Sequence, residues 1–379
     1  MKSISKSYRI AVIPGDGIGR EVTAEAQKVV NAAGEACGFG VEWHPYPFGA
    51  DHYLRTGEIF PDSVLEELDQ CQAVLLGAIG DPRVKPGLLE RGILLRLRFH
   101  YDMFVNLRPA RSFPNTPLPV TIPEGKCIDT VVVRENTEDF YMGIGGEGRG
   151  GALSFPVEIS RTLYSIKGTT TLSFSPETNA AVQLGLATEE GVRRIAAYAC
   201  DTARRRGQKS VLLASKSNAL PQIYGFWETI AGDEVRGHGL DFQVANVDAL
   251  CYHLVRNPWK YNTILCPNMF GDIVSDLLAG VAGGLGIAAG ANIGKGLGMF
   301  EPVHGSAPDI AGTGKANPLA AILSAGLMLF SLGETEASAK IENAVENVLA
   351  KADKATLPAE FGGDATCSAI GDAVAAAVA

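Results

Sequence analysis

Asn268-Met269-Phe270-Gly271-Asp272-Ile273-Val274-Ser275-Asp276 sets two aspartates four residues apart. On a helix that spacing puts both carboxylates on one face, Cβ atoms about 5–6 Å apart, where like charges cost on the order of a few tenths of a kcal/mol. Two readings are open from the spacing. One is a solvated acidic face. The other is a pair of hard oxygen ligands for a divalent cation, which would turn the repulsion into attraction. The flanks bear on the fold. The apolar run Asn262-Thr263-Ile264-Leu265-Cys266 enters the stretch as a strand, and a glycine-rich run from Gly283 to Gly298 leaves it. Carboxylates just beyond the C-terminal end of a strand lie where α/β sheets bind their ligands.

The same alternation runs along the chain. Residues 8–13 read as a strand, Pro14-Gly15-Asp16-Gly17-Ile18-Gly19 as a turn and 20–36 as a helix. The turn has G-x-G-x-G spacing, not the G-x-G-x-x-G of a dinucleotide fingerprint, and no acidic residue follows a second strand at the expected place. A tight turn using glycine's φ freedom is an equal reading. Strands are expected at 41–46, 73–78, 128–134, 210–214 and 242–247. Helices are expected at 61–68, 87–101, 189–205 (N-capped by Thr188), from 218 to about 230, 248–256, 318–332, 336–352 and 366–378. Residues 143–176 read as an excursion of short strands, an interlocking arm. The repeated strand-helix order predicts a doubly wound α/β fold.

Composition narrows the class. With 379 residues, 46% hydrophobic and 20% charged, the chain can bury a large core. A net charge of −9 argues against nucleic acid or an anionic membrane as a general partner, while leaving room for a local basic pocket. Seven cysteines without a CxxC pair read as reduced thiols of a cytoplasmic protein, not as a disulfide frame or zinc site. Residues 1–5 run straight into the first strand without a signal-peptide pattern. No apolar run reaches the ~18 residues of a membrane span.

Several residues invite a functional reading beside an ordinary one. Arg98 (in Leu95-Arg96-Leu97-Arg98), Arg108 (in Asn106-Leu107-Arg108-Pro109) and Arg134 (at a strand end) suit carboxylates through their planar forks. Each could equally be half of a surface ion pair. Tyr141, in Arg134-Glu135-Asn136-Thr137-Glu138-Asp139-Phe140-Tyr141, could be an ordinary half-buried tyrosine. Lys216 and Asp248 each sit at the end of a strand; for Lys216 the ordinary alternative is a surface lysine.

Taken together, these segments resemble, essentially end to end, the β-decarboxylating dehydrogenases of 2-hydroxy acids, the isocitrate/isopropylmalate dehydrogenase family. The motifs that carry the resemblance are IPGDGIG at Ile13, NLRP at Asn106, RENTEDFY at Arg134, NMFGDIVSD at Asn268 and EPVHGSAPDIAG at Glu301, in the family's order. The resemblance implies a two-domain α/β fold whose cofactor domain is not a Rossmann fold. Residues 1–103 plus 256–379 would form the larger domain and 104–255 a smaller, dimer-making one. It implies that Asp272 and Asp276, with Asp248 of the partner subunit, hold Mg²⁺ or Mn²⁺. Arg98, Arg108 and Arg134 would grip the carboxylates of a small 2-hydroxy dicarboxylate. Lys216 of the partner subunit would take the hydroxyl proton during oxidation at C2, and Tyr141 would protonate the enol carbon after CO₂ leaves. The active site is thus expected to need a homodimer.

The resemblance also bears on cofactor and substrate. An aspartate after HGSAP, here Asp309 followed by Ile310, goes with NAD, because it accepts bonds from both adenosine ribose hydroxyls and repels a 2′-phosphate. Ile79, His304, Gly305, Ser306, Ala307 and Asn317 would complete the cofactor contacts. Leu94 and Leu95 occupy the place where the family reads the C3 substituent. Isocitrate enzymes usually carry Ser and Asn there; Gly92 and Leu94 stand here. An apolar gate suits the branched alkyl group of 3-isopropylmalate and predicts its conversion to 2-oxoisocaproate, a step of leucine biosynthesis. RENTEDFY is closer to isocitrate-type wording, and D-malate and tartrate dehydrogenases also carry leucines at the gate. These substrates, and homoisocitrate, are the alternatives. A non-catalytic regulatory subunit is disfavoured, since Tyr141, Lys216 and all three aspartates are present.

Overall fold

The computed structural model describes residues 6–379; the stretch 1–5, read as leading straight into a strand, lies outside the described residues. The chain begins β1 (Lys6–Gly15), α1 (Gly19–Cys37), β2 (Phe39–Pro45), α2 (Ala50–Thr56), α3 (Asp62–Leu68), β3 (Ala73–Ala78). A π turn, Glu90–Leu95, runs into α4 (Arg96–His100), then β4 (Val105–Arg111) and β5 (Asp129–Glu135). The excursion holds β6 (Gly145–Gly148), β7 (Ala152–Ser160), β8 (Ser165–Ser173) and β9 (Ala180–Gln183). After it come α5 (Glu189–Arg205), β10 (Ser210–Ser215), α6 (Pro221–Gly237), β11 (Asp241–Asn246), α7 (Val247–Arg256), β12 (Thr263–Cys266) and α8 (Asn268–Ala282). The chain closes with β13 (Ala289–Ile293), β14 (Gly298–Pro302), α9 (Leu319–Ser331), α10 (Thr335–Ala350) and α11 (Cys367–Val378).

Ten strands make one sheet, in the order β11-β10-β12-β5-β4-β13-β14-β3-β1-β2. Two parallel blocks, β11-β10-β12-β5 and β14-β3-β1-β2, are joined through antiparallel pairings of β4 and β13. This order is not that of a Rossmann sheet. Both faces are covered, which is why the parallel strands are nearly continuous apolar runs. Ile10 and Leu75 pack on α1, α9, α10 and α11, while their neighbours Ile13 and Leu76 pack on α3 and α4. In the other half Val133, Leu213 and Leu265 face α5 and α6, and Val132, Ile264 and Cys266 face α7 and α8. β12 and α8, which follow residue 256 in sequence, lie in this second half.

Besides adding α2, for which no element is expected, the structure departs from the expected elements in four places. The helix expected over 87–101 is a wide π turn followed by a short α-helix. There a Cβ on Gly92 would lie 2.6 Å from Cγ2 of Ile59, so glycine admits that side chain against the turn. The NLRP stretch is a strand, β4. The glycine-rich run contains β13 and begins β14. The excursion extends to Gln183: β7 and β8 form a hairpin, and β6 pairs with β9 at its base. Among the described residues no helix is long and apolar enough to cross a membrane.

Candidate active site

The buried strand β12 delivers the chain to α8, and α8 presents Asp272 and Asp276 one turn apart toward β4 and β5. Arg134, at the end of β5 and almost fully buried, donates from Nη1 to Asp272 Oδ1 at 2.5 Å. Its Nε donates to the backbone oxygen and Oδ1 of Asn268, at 2.9 and 3.0 Å. The helix can lie this close only because residue 271 is glycine: a Cβ there would be 2.5 Å from Arg134 Cγ. Arg108 reaches over from β4, donating from Nη1 to Ser275 Oγ at 2.8 Å and Asp276 Oδ1 at 3.0 Å. The Tyr141 hydroxyl donates to Asp272 Oδ2 at 2.7 Å, and the Arg134 guanidinium lies 5.0 Å from the Tyr141 ring centre.

A buried polar chain ties the third arginine to this group. Arg98 donates to Glu301 Oε1 at 2.9 Å, and Asn292 Nδ2 to the same oxygen at 2.8 Å. Asn106 donates to Asn292 Oδ1 at 2.8 Å, and Arg108 Nε to Asn106 Oδ1 at 2.6 Å. Each of these side chains thus has a partner, as burial demands, though Arg98 Nε is itself buried without one. None of Asn292, Asn106 and Glu301 is a candidate site residue by sequence, although Asn106 and Glu301 open two of the family's motifs. The available signal was polar residues inside otherwise apolar strands. Arg96, two residues from Arg98, turns away and bonds Phe60 and Asp62 instead.

The charges favour anions at this place. Burial opposes ionisation of Asp272, but Arg134 and Arg108 outweigh it and hold its carboxyl below the ordinary value. For Asp276 burial wins over Arg108 and pushes the carboxyl up. Burial, reinforced by the hydrogen bond to Asp272, raises Tyr141, so its hydroxyl stays protonated at neutral pH. Burial and then the neighbouring Arg108 bring Arg134 down to about 10, still cationic at neutral pH. Three clustered guanidiniums are a costly arrangement that bound carboxylates would relieve.

A cleft of about 300 Å³ brings together Ile79, Leu94, Leu95, Arg98, Arg108, Arg134, Tyr141, Asp272, His304 and Gly305. It lies on one face of β4; Asn106 and Arg108 face it, while Leu107 and Pro109 face a separate, largely apolar cavity behind the sheet. The rear cavity's Arg111 and Arg206 are paired with Glu342 and Asp129. The converging polar groups therefore mark the front cleft as the site.

Other candidates lie outside this cleft. Lys216 and Asp248 bond each other at 2.8 Å, with the Asp248 carboxylate mostly exposed. Among the described residues no three potential metal ligands gather, so Asp248 does not join Asp272 and Asp276 within the chain. Ser306 and Ala307 follow His304 and Gly305 on a loop seated on the glycine turn. The Ile18 amide donates to Ser306 O at 2.9 Å, and a Cβ on Gly17 would be 1.9 Å from that oxygen. The glycine turn is thus a packing seat. Asp16 within it accepts from the amides of Ala50 and Gly80 at 2.7 and 2.9 Å. Asp309 is exposed, Ile310 half-buried, and Asn317 is buried and donates to Glu360 at 2.6 Å.

The donor set fits the groups expected of it. Two carboxylates on one helix face are hard oxygen ligands suited to Mg²⁺ or Mn²⁺. His304 Nε2 is buried with no hydrogen-bond partner, and its imidazole is kept neutral by burial, which suits a polar cofactor group against the 304–305 loop.

Comparisons with known proteins agree with this geometry. The family model described as isocitrate/isopropylmalate dehydrogenase matches residues 9–374. The 3-isopropylmalate dehydrogenase of Mycobacterium tuberculosis (strain ATCC 25618 / H37Rv) is 46% identical over 347 residues, covering 90% of this chain and 94% of the relative. That of Nocardia farcinica is 44% identical over 98% of this chain and all of the relative. Among solved structures, isocitrate dehydrogenase from Methylococcus capsulatus matches with a TM-score of 0.81 and 32% identity, covering 98% of this chain and 99% of that one. With the family's five motifs lying on the cleft and its supporting elements, the chain belongs to the isocitrate/isopropylmalate dehydrogenase family.

Proposed function

We propose that the protein oxidatively decarboxylates 3-isopropylmalate to 2-oxoisocaproate; its 42–46% identical relatives are named 3-isopropylmalate dehydrogenases. The observation that carries the reading is one cleft lined both by Leu94 and Leu95 and by Arg98, Arg108 and Arg134. The arginines bind the two carboxylates and orient C2. The leucines exclude water from the alkyl group. Contact with a three-carbon branch is worth roughly 2 kcal/mol at about 0.8 kcal/mol per carbon. When bound, a nicotinamide cofactor would accept hydride from C2, and Asp272, Asp276 and Asp248 of the partner subunit would hold a divalent cation that supplies Lewis acidity toward the developing charge. Lys216 of the partner subunit accepts the 2-hydroxyl proton. Tyr141, kept protonated by its surroundings, delivers a proton to C3 after CO₂ departs.

NAD is the cofactor favoured by Asp309, whose carboxylate repels a 2′-phosphate; a higher kcat/KM with NADP would overturn that choice. A homodimer in the cytoplasm is the working form we propose. Exposed apolar residues on α6, β11, α7 and α8 (Phe226, Val244, Tyr252, Val255, Ile273) support it. The division into a larger domain (1–103 and 256–379) and a smaller one (104–255) belongs to the same proposal, amended in that β12 and α8, which pack with β5, β10 and α7, go with the smaller one.

The test is the rate of cofactor reduction with Mg²⁺ over 3-isopropylmalate, D-malate, tartrate, homoisocitrate and isocitrate. We expect 3-isopropylmalate to lead by roughly 100-fold in kcat/KM, about 2.7 kcal/mol in transition-state binding. Leu94→Ser should remove roughly 10-fold or more of that lead and leave D-malate little changed. The 32% identical structural match named isocitrate dehydrogenase and the RENTEDFY wording favour the second reading; isocitrate as best substrate would establish it and refute the gate.

A further inference from the structure

The loop carrying Tyr141 is held by three carboxylates that take no part in the proposed chemistry. Glu135 accepts from the Thr137 amide at 2.8 Å, the Thr137 hydroxyl at 2.7 Å and the Glu138 amide at 2.7 Å, folding the loop on itself. Asp139 sits at φ 65°, in the left-handed region, and accepts from the Met269 amide at 2.9 Å in the first turn of α8. Between them Glu138, 1% exposed, points the other way. Its Oε2 accepts from the Thr188 amide at 2.9 Å and its Oε1 from the Thr188 hydroxyl at 2.6 Å, at the start of α5. Oε1 also accepts from the hydroxyl of Tyr164, which lies in the link between β7 and β8. A Cβ on Gly191 would lie 2.2 Å from Glu138 Oε1, so α5 opens on a glycine that makes room for this carboxylate. From the same link Arg161 donates to the Thr137 carbonyl at 2.9 Å.

These bonds form one path. The β7–β8 link holds Glu138; three residues on, Tyr141 meets Asp272 on α8; and Asn268, at the head of α8, donates to the Glu138 carbonyl at 3.1 Å. We propose that Glu138 is a positioning residue: it fastens the β7–β8 arm and the start of α5 to the loop that presents Tyr141, so that the placement of the arm sets the placement of the proton donor. The inference rests on the assignment of Tyr141 as that donor. Its physical basis is that hydrogen bonds to a buried carboxylate are stronger than those between neutral groups. A donor displaced by a fraction of an ångström delivers its proton more slowly, with substrate binding untouched. The arm is the part of this chain that would interlock with a second copy, so assembly would be felt at Tyr141.

Tyr164→Phe tests this with the smallest change, since it deletes one hydroxyl and keeps the ring. Glu138→Gln removes the acceptor of two donors and serves as the second variant. The full-length enzyme is assayed with 3-isopropylmalate, cofactor and Mg²⁺, and hydrogen exchange of segment 136–142 is followed without substrate. We expect kcat to fall about 10-fold while KM stays within about twofold. Proton delivery becomes rate-limiting, so the solvent deuterium isotope effect grows and the effect of deuterium at C2 shrinks. Exchange in segment 136–142 speeds up in both variants. A purely structural role would lower the active fraction and leave both isotope effects as in the wild type; that outcome, or unchanged exchange in both variants, would overturn the proposal. Tyr141→Phe is the control for the underlying assignment. Full turnover in that variant would remove Tyr141 as donor, while faster exchange in Tyr164→Phe would still uphold the tie between arm and loop.

Discussion

Gly271 has no side chain, yet it decides where Arg134 lies. The arginine stem passes so close under α8 that a methyl group at position 271 would overlap Cγ and Cβ, at 2.5 and 2.7 Å. Neither neighbour can yield easily, because Arg134 is buried and held by Asn268 and Asp272. Gly271→Ala should therefore cost about 1–3 kcal/mol of stability by overpacking, against the small gain a helix usually draws from alanine. Urea unfolding reads the first quantity. The displaced guanidinium should also lower kcat/KM for 3-isopropylmalate by at least about 10-fold. An alanine variant as stable and active as the wild type would mean that Arg134 is free to move. At this scale the sequence was informative about chemistry and mute about direction. Arg96 and Arg98 look alike in Leu95-Arg96-Leu97-Arg98; one pairs with Asp62 on α3 and the other with Glu301 in the cleft. Asn106 and Glu301 open two family motifs, but their connection through Asn292 was equally hidden, because a polar residue in a strand gains meaning only from what the neighbouring strand places opposite.

Elements with strong local signals were legible. β3 occupies 73–78 as expected, and Thr188 caps α5 through a hydrogen bond from the Gly191 amide at 3.0 Å. Elements that depend on distant pairing were not. β4 reads Val105-Asn106-Leu107-Arg108-Pro109-Ala110-Arg111, with a proline and two arginines, and becomes a strand by lying between β5 and β13. Pro109 is tolerated because the β13 ladder covers only residues 105–107. The glycine-rich β13 likewise gains its strand from its neighbours, which is tertiary context overriding propensity. The alternation along β4 then has a functional consequence: even-numbered Asn106 and Arg108 face the site, and odd-numbered Leu107 and Pro109 face the apolar rear. Local signals also allow a clean stability test away from the site. Thr366 caps α11, its hydroxyl accepting from the Ala369 amide at 3.2 Å. Thr366→Ala should cost about 1 kcal/mol, seen as a small fall in Tm, with kcat and KM unchanged. A change in kcat would tie α11 to the cleft in a way the packing does not show.

On the scale of the whole molecule, the chain holds two separated halves of one proposed site. Asp272, Tyr141 and three arginines line the cleft, with Asp276 one turn on and bonded to Arg108, while Lys216 and Asp248 bond each other elsewhere on the surface. The family resemblance implies such a division, which spacing could not, because no sequence pattern states which copy of a chain a side chain serves. The division makes a sharp prediction. In a symmetric dimer each site would take Asp272 from one subunit and Lys216 from the other. Lys216→Ala and Asp272→Asn should each abolish turnover as homodimers. Unfolded together in equal amounts and refolded, they should form mixed dimers in which one site carries both defects and the other carries none. Random pairing makes half the dimers mixed, each with one intact site, so activity should return to roughly a quarter of the wild-type rate. Subunits refolded separately and then combined should stay inactive until they exchange. If the co-refolded mixture remains dead while size measurements show mixed dimers, each site is completed within its own chain. Lys216 and Asp248 would then have to swing to the cleft from the surface pair they now form.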